Sequence, residues 1–173
     1  PTVMMYAVPK ILPDINTIHA GVISREDFRW SRCDIKMTSL LGNVMLNEEA
    51  MQNNCFETIL YRNGVVTEAS HCNVFFVKND VVVTHPANEL ILDGITRQVV
   101  LELCKNLNIK VEQNPVTAIR IPQMDEAFLT GTSTQIASIQ KIDDYEFYSG
   151  NHVGPVTRRL QEAFLKLKNY TVV

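Results

Sequence analysis

The chain opens with two apolar stretches that are typical of β-strands, at residues 3–8 and 19–25. Pro9 and Pro13 lie between them, and proline interrupts strand pairing because it has no backbone N–H to donate. The pattern therefore predicts two strands separated by a loop.

The next apolar residues recur with a helical period. Four of them follow Lys36 and fall on one helical face: Leu40, Leu41, Val44 and Met45. Thr38 or Ser39 is the expected N-cap, since a side-chain hydroxyl accepts a hydrogen bond from the first helical turn. We expect this helix to enter the core and to end near Asn53.

Two β-hairpins are predicted in the middle of the chain. Residues 58–68 are centred on Asn63-Gly64, a dipeptide that favours the tight turn of a two-residue hairpin. Residues 74–84 contain a second polar turn at 78–80. We expect the two hairpins to form one four-stranded antiparallel stretch.

The second half of the chain alternates short strands with helices. Residues 93–96 open a helix whose apolar face includes Val100 and Leu103. The remaining expected elements are a strand near 110–111, a one-turn helix near 117–122, strands at 127–129 and 136–142, and a helix from Pro155 to about Lys168. The whole pattern predicts a single domain, residues 1–173, of mixed α/β or α+β class.

Composition narrows the classes of partner. The chain has 173 residues, of which 46% are hydrophobic and 20% charged, and its net charge is −3. Its basic residues are scattered, so nucleic acid and anionic membranes are not expected partners. No apolar run approaches the roughly 20 residues of a membrane span, and no secretory signal is visible. The four cysteines and four histidines lack disulfide or metal-site spacing, which favours reduced thiols in a cytoplasmic protein without a metal.

Two side chains could carry covalent or acid–base chemistry. Lys36 lies at the entrance of the first helix, where a partly desolvated amine could form a Schiff base with a carbonyl group. Glu68 ends the first hairpin and could balance a cation inside the protein, such as a protonated pyridine nitrogen. Each residue alone is also compatible with an ordinary surface position.

Two further segments could bind an anion. Gly94 permits close approach of a ligand, and the amides of Ile95 and Thr96 would point outward, unpaired, from the start of a helix. Residues 130–134 are small and mostly hydroxylated, and they follow a strand, so they could surround a phosphate. A simple helix start and an ordinary turn remain the alternatives.

His71 and Cys72 are adjacent near the end of the first hairpin. On a strand they would point to opposite faces, so a histidine-activated thiol is not expected. A packing role is favoured for both.

Taken together and in order, five segments resemble the fold-type IV aminotransferases, which use pyridoxal 5′-phosphate. These segments are 33–42, 66–75, 84–86, 92–97 and 130–133, and the likeness covers essentially the whole chain. Arg29-Trp30 and Cys33 to Lys36 most resemble the bacterial D-amino-acid (D-alanine) aminotransferases. The resemblance implies a hairpin-rich pseudo-barrel with flanking helices, the fold of the C-terminal domain of those enzymes.

The resemblance also implies roles for individual residues. Lys36 would form the Schiff base with the cofactor and carry the α-proton, and Glu68 would pair with the pyridine nitrogen. Leu92 would pack on the ring, and the phosphate would bind Gly94, Ile95, Thr96 and Thr132. The implied reaction moves an amino group between a D-amino acid and a 2-oxo acid.

Two departures qualify this expectation. After Glu68 the family tends to have Gly-Ser-Ser, whereas this chain has Ala69, Ser70, His71 and Cys72. The family also has a small N-terminal domain that this sequence lacks, and the chain begins in mid-strand without an initiator methionine. We therefore expect the C-terminal domain of a longer, homodimeric enzyme, poorly active by itself.

Three alternative functions remain open at this point. Branched-chain aminotransferases and 4-amino-4-deoxychorismate lyases share the implied fold, lysine and glutamate. The segment Met37 to Leu40 differs from the Gly-rich stretch of many branched-chain enzymes. A domain that only binds ligands or oligomerises is the third alternative.

Overall fold

The computed structural model describes residues 2–9, 11–19, 21–147 and 152–170. These residues form helices α1 (Leu41–Gln52), α2 (Ile95–Asn106) and α3 (Pro155–Tyr170), and a 3₁₀ helix at Ala118–Gln123. The strands are β1 (Ile18–His19), β2 (Val22–Glu26), β3 (Glu57–Arg62), β4 (Val65–Ala69), β5 (Asn73–Lys78), β6 (Val81–Thr84), β7 (Val111–Glu112), β8 (Glu126–Gly131), β9 (Gln135–Ile139), β10 (Lys141–Ile142) and β11 (Tyr145–Glu146). The mixed α/β class expected from the sequence is confirmed. No helix in the described part of the chain is long and apolar enough to cross a membrane.

The strands form two mixed sheets. The first sheet has six strands in the order β1-β9-β8-β5-β6-β7, and the second has five in the order β11-β10-β2-β3-β4. In the first sheet β1 runs parallel to β9, and in the second β2 runs parallel to both β3 and β10. Hairpins supply most of the antiparallel pairs, and β5 and β8, which are distant in the sequence, form another.

Strand β5 shows how the core is divided. Its side chains alternate between the two faces of the six-stranded sheet. Val74 and Phe76 pack in the apolar cluster shared with the five-stranded sheet, whereas Phe75 and Val77 pack with residues of α2 and α3. Phe75 stacks on Phe128 of β8, with ring centroids 5.0 Å apart. The molecule is therefore layered, with the six-stranded sheet between the second sheet and two helices.

Both predicted hairpins are present, but they belong to different sheets. Asn63 and Gly64 have φ values of 51° and 74°, and Asn79 and Asp80 have 49° and 61°, as tight two-residue hairpin turns require. The expected single four-stranded antiparallel stretch is wrong. Residues 70–72 carry the chain from β4 in one sheet to β5 in the other, because both sheets must cover the apolar cluster between them.

Three predicted strands differ from the structure. Residues 2–9 have no regular structure and Met5 is 90% exposed, so the strand expected at 3–8 is wrong. An apolar stretch becomes a strand only beside a neighbour that accepts its hydrogen bonds, and none of the described strands pairs with this one. The segments 19–25 and 136–142 each cover parts of two strands, since the chain passes between sheets within them.

Helix α1 ends as expected, before Asn53, but its start differs. It begins at Leu41, with Leu40 in the capping position and no side-chain cap, rather than after a cap at Thr38 or Ser39. Thr38 and Ser39 lie outside the capping position, which is the one that places a side-chain oxygen at the first-turn amides.

The apolar face of α1 also differs from the expectation. Leu41, Val44 and Met45 are exposed, whereas Leu46 and Ala50 are buried. The buried face is the one that packs on β2 and β3, where the hydroxyl of Thr58 donates to the carbonyl of Leu46. The position of the sheet therefore decides which face of α1 is covered.

The other helices agree with the pattern. Helix α2 begins at Ile95 after Gly94, and α3 begins at Pro155, where a missing backbone N–H has no cost. Val100 and Leu103 of α2 are buried in the second apolar cluster. These boundaries are local properties of the chain, which explains the agreement.

A buried carboxylate holds the start of α3. Glu126 of β8 is 3% exposed, and its two oxygens accept the amides of Val156 and Thr157 at 3.0 and 2.8 Å. A Cβ atom at Gly154 would lie 2.1 Å from the carboxyl carbon of Glu126. The carboxylate therefore replaces the missing N-terminal partners of the helix, and the neighbouring position requires glycine.

We expect Glu126→Gln to lower the free energy of unfolding by about 1–2 kcal/mol, because an amide oxygen keeps one acceptor and loses the charge. Urea unfolding followed by circular dichroism measures this change. The exposed Glu162 of the same helix provides the control, and Glu162→Gln should change stability by less than about 0.5 kcal/mol. Equal effects of the two substitutions would contradict the capping role.

Candidate active site

A cavity of about 740 Å³ lies where β4 and β8 end and where β5, α1 and α2 begin. Its wall contains all the site residues expected from the sequence. These are Lys36, Glu68, Leu92, Gly94, Ile95, Thr96 and Thr132. The structure therefore brings together in one cavity residues that are separated by up to almost a hundred positions in the chain.

Lys36 lies in the irregular segment that leads into α1. Its side chain is exposed and lines the cavity. Its amine makes no hydrogen bond or ion pair with another described residue, whereas Lys78 and Lys110, for example, pair with carboxylates. An amine that is not held by a carboxylate is available to a ligand in the cavity.

Glu68 is buried at the end of β4, with a relative exposure of 5%. One carboxylate oxygen accepts a hydrogen bond from Nη1 of Arg29 at 3.0 Å, and the other accepts one from the backbone amide of Leu92 at 3.0 Å. Burial raises the pKa of Glu68 to about 7, more than the Arg29 charge and the Leu92 amide lower it. The cavity therefore contains a carboxyl group that changes its charge near neutral pH and would be stabilised as an anion by one more cation.

Arg29 is a member of the site that the sequence reasoning did not identify. Its guanidinium lies between Glu68 and the fully buried carboxylate of Asp27, which also pairs with Arg62 at 3.0 Å. Burial raises the pKa of Asp27, but the hydrogen bonds and charge of Arg29 and the charge of Arg62 together hold it below its usual value. The signal available in the sequence was indirect: a buried Glu68 needs a cation, and Arg29, 39 positions earlier, lies in the polar segment that precedes Lys36.

Asn73 and Gly94 hold the loop before α2 against the end of β4. The Asn73 amide donates to the carbonyl of Leu92 at 2.7 Å and to Glu68 at 3.3 Å. A Cβ atom at position 94 would lie 2.4 Å from the Asn73 side-chain oxygen. Glycine at position 94 is therefore required for this close approach.

The start of α2 faces the same cavity and can accept an anion. The amides of Ile95 and Thr96 belong to the first turn and so lack intrahelical partners, and no side chain in the described part of the structure caps this helix. Across the cavity, Thr132 is exposed, and the buried hydroxyl of Thr130 has no hydrogen-bond partner within the described residues. These donors suit a phosphate or carboxylate group better than an apolar ligand.

His71 and Cys72 differ in their surroundings. Cys72 is buried, and burial raises the pKa of its thiol to about 12, so it packs as a neutral group, as expected from the sequence. The side chain of His71 is 44% exposed and lines the cavity. The packing role expected for His71 is therefore wrong, because residues 70–72 form a turn between sheets rather than a strand.

Comparison with families and curated proteins gives a consistent result. The sequence model of the family "Amino-transferase class IV" matches residues 1–142. A D-alanine aminotransferase of Bacillus licheniformis is 39% identical over 164 residues, which cover 94% of this chain and 58% of that protein. The D-alanine aminotransferase of Staphylococcus aureus strain N315 is 40% identical over 144 residues, 83% of this chain and 51% of that protein. The chain thus spans a little over half the length of these relatives.

Solved structures share the fold. A Thermotoga maritima protein assigned as a branched-chain amino acid aminotransferase has a TM-score of 0.82 and 34% identity, covering 91% of this chain and 57% of its own. A T.th. branched-chain amino acid aminotransferase, complexed with N-(5′-phosphopyridoxyl)-L-glutamate, has a TM-score of 0.76 and 28% identity, covering 85% and 51%. With the family match over most of its length, the chain belongs to the class IV aminotransferases.

Proposed function

We propose that this chain is the cofactor-binding domain of a pyridoxal 5′-phosphate-dependent aminotransferase that moves an amino group between a D-amino acid and a 2-oxo acid. One observation carries the proposal. A lysine amine and a helix N-terminus, neither with a side-chain partner among the described residues, line the same cavity as a buried carboxylate. The D-alanine aminotransferases among the relatives support the choice of substrate class.

The donors and acceptors in the cavity fit this cofactor. When bound, it supplies an aldehyde that condenses with amines and a ring that accepts the electrons left at the α-carbon. The buried hydroxyl of Thr130, which lacks a partner within the described residues, and the free first turn of α2 fit the phosphate. Gly94, Ile95, Thr96 and Thr132 would hold that group, and Lys36 lies on the wall of the same cavity.

Glu68 and Leu92 would orient the ring. A cationic ring nitrogen near Glu68 would favour its ionised form, which burial otherwise disfavours. Leu92 lines the cavity with its side chain, while its amide fixes the Glu68 carboxylate. The same residue thus offers an apolar surface to the ring and holds the ion-pairing group in place.

Lys36 would move the reacting proton. Its Nζ would accept the α-proton of the substrate and return it to the neighbouring carbon. This role needs an amine that is free of ion pairs, and Lys36 has none with the described residues. With the cofactor bound, the exposed amine of Lys36 would lie at the cavity wall, where both the cofactor and a substrate could reach it.

A branched-chain amino acid is the second candidate substrate. The structural similarity to the Thermotoga maritima protein favours it, with a TM-score of 0.82. The identity of 39–40% to two D-alanine aminotransferases exceeds the 34% to that protein, and the proposal follows the higher value. A comparison of D-alanine and L-leucine as amino donors separates the two.

We also propose that the full-length protein is a cytoplasmic homodimer in which a second domain completes the substrate site. The extent of the relatives supports the second domain, since this chain spans 51–58% of two of them. Leu41, Val44 and Met45 form an exposed apolar surface on α1 beside the cavity, which supports an interface there.

The first test of the proposed function concerns Lys36. After incubation with pyridoxal 5′-phosphate and reduction by borohydride, mass spectrometry of the digested chain should find the phosphopyridoxyl group on Lys36. Lys36→Ala should abolish this product, because no other lysine among the described residues lines the cavity. Lys166→Ala, which removes an exposed lysine of α3, is the control and should leave the yield unchanged. Equal labelling of Lys36→Ala and the unsubstituted chain would contradict the proposal.

The second prediction concerns the charge of Glu68 in the chain without cofactor. Because burial raises the pKa of this group to about 7, the folded state holds a proton that the unfolded state has released between pH 5 and 7. Stability from this group is therefore lost as pH rises through 7, by about 2–3 kcal/mol at most. Urea unfolding at pH 5 and 8 should show this loss in the unsubstituted chain but not in Glu68→Gln.

Other groups contribute differently to the same titration. Burial lowers the pKa of His85, so its contribution to stability increases with pH in this range. The difference between the chain and Glu68→Gln removes the His85 contribution, since both proteins contain it. Identical pH dependence in the two proteins would show that Glu68 is ionised throughout.

The third prediction concerns turnover. With D-alanine and 2-oxoglutarate, the chain by itself should form pyruvate at least about 100-fold more slowly than a full-length relative, because substrate positioning is incomplete. A coupled assay for pyruvate measures the rate, with Lys36→Ala as the background. Turnover equal to that of a full-length enzyme would contradict the incomplete-site proposal while leaving the Lys36 assignment intact.

A further inference from the structure

A hydrogen-bonded chain of three residues lies behind one wall of the cavity. Glu57, the first residue of β3, is 3% exposed, and one of its oxygens accepts the amide of Thr58 at 2.7 Å and the hydroxyl of Ser70. The same hydroxyl oxygen lies 2.7 Å from Nδ1 of His71, and the second Glu57 oxygen lies 3.6 Å from that nitrogen. The chain runs from a buried carboxylate to a side chain in the cavity wall.

The direction of each hydrogen bond follows from the charge of Glu57. Burial raises the pKa of this carboxyl, but hydrogen bonds from His71, Ser70 and Thr58 outweigh burial and hold it below its usual value. An ionised carboxylate only accepts, so the single hydroxyl hydrogen of Ser70 goes to Glu57. The Ser70 oxygen must then accept from Nδ1 of His71, which therefore carries a hydrogen.

This arrangement selects one nitrogen of His71 for contact with a ligand. Because Nδ1 donates to Ser70, Nε2 is the ring nitrogen left to contact a ligand. The side chain is 44% exposed and lines the cavity, so Nε2 is the nitrogen that a bound molecule can reach. In a ring with hydrogen on both nitrogens, Nε2 is a donor to the ligand, and a Glu57 oxygen 3.6 Å from Nδ1 faces the ring from behind.

We propose that His71 is a ligand-positioning residue whose Nε2, oriented by Ser70 and Glu57, binds an oxyanion of the molecule in the cavity. The oxyanion is a phosphate or a carboxylate, since both present the same acceptor to an imidazolium N–H. The relevance to amino-group transfer rests on the proposed function, but the binding itself does not. A purely structural His71 would neutralise Glu57 and contribute nothing to ligand affinity.

Binding of two probe anions tests this proposal in the chain without cofactor. The single tryptophan, Trp30, lines the cavity, so its fluorescence reports on occupancy by inorganic phosphate or acetate. His71→Gln keeps a neutral side-chain donor and should weaken binding of at least one anion by about 5- to 10-fold. His152→Gln, at an exposed position that does not line the cavity, should leave both affinities unchanged.

The two arms distinguish the source of the oxyanion. Loss with phosphate alone assigns His71 to a phosphate group, and loss with acetate alone assigns it to a carboxylate. Affinities in His71→Gln equal to those of His152→Gln for both anions would overturn the proposal. The proposal would also be overturned if neither phosphate nor acetate bound to the unsubstituted chain.

The tautomer provides a readout that is independent of affinity. Two-dimensional ¹H–¹⁵N spectra should show a protonated Nδ1 in His71, and Ser70→Ala should remove that preference. An unprotonated Nδ1 in the unsubstituted chain would overturn the proposal. Neither measurement involves Lys36, so failure here is distinguishable from failure of the aminotransferase assignment, in which Lys36 would not be labelled.

One control addresses folding. His71→Gln leaves Glu57 without its ionisable neighbour, which can reduce stability. The double substitution Glu57→Gln with His71→Gln also removes the buried carboxylate that the single variant leaves without this neighbour, and we expect it to keep the fold. The double variant should show the same weakened anion binding, and unchanged affinity in it would overturn the proposal.

Discussion

The buried carboxylate of Glu68 holds together the parts of the chain that form the cavity. It joins the end of β4 to Arg29, 39 positions earlier, and to the amide of Leu92, 24 positions later. A carboxylate in this position is stable only while these donors satisfy it. The segment before α1, the loop before α2 and the second sheet therefore meet at one point, and the open space between them is the cavity.

The turn between β4 and β5 also lines the cavity, and a second buried carboxylate, Glu57, supports it. Residues 70–72 carry the chain from one sheet to the other, so Glu68 near the end of β4 and His71 in the turn both line the cavity, three positions apart. Each of the two side chains is supported by a buried charge, Asp27 through Arg29 in one case and Glu57 through Ser70 in the other. An ion-pair network positions Glu68 and a hydrogen-bond network positions His71, in addition to apolar packing, which favours a defined geometry for polar ligands.

Much of the candidate site could be predicted from the sequence. Lys36, Glu68 and the start of α2 were identified because their order along the chain resembles that of a known family. Arg29 was missed as a contact of Glu68, although it was part of that resemblance, because an ion pair over 39 positions has no local pattern. The sequence favours a packing role for His71, as for a residue on a strand. The structure has a turn at this position instead, and the side chain faces the cavity.

The sequence by itself determined the features that depend on a few neighbouring residues. The Asn63-Gly64 turn, the start of α2 after Gly94 and the start of α3 at Pro155 follow from local backbone preferences. Only the tertiary structure decided which sheet each hairpin joins, which face of α1 is buried, and which donors meet Glu68 and Glu57. Those outcomes depend on burial and on charges brought together from distant positions, and the free energy of such contacts exists only once the layers have packed.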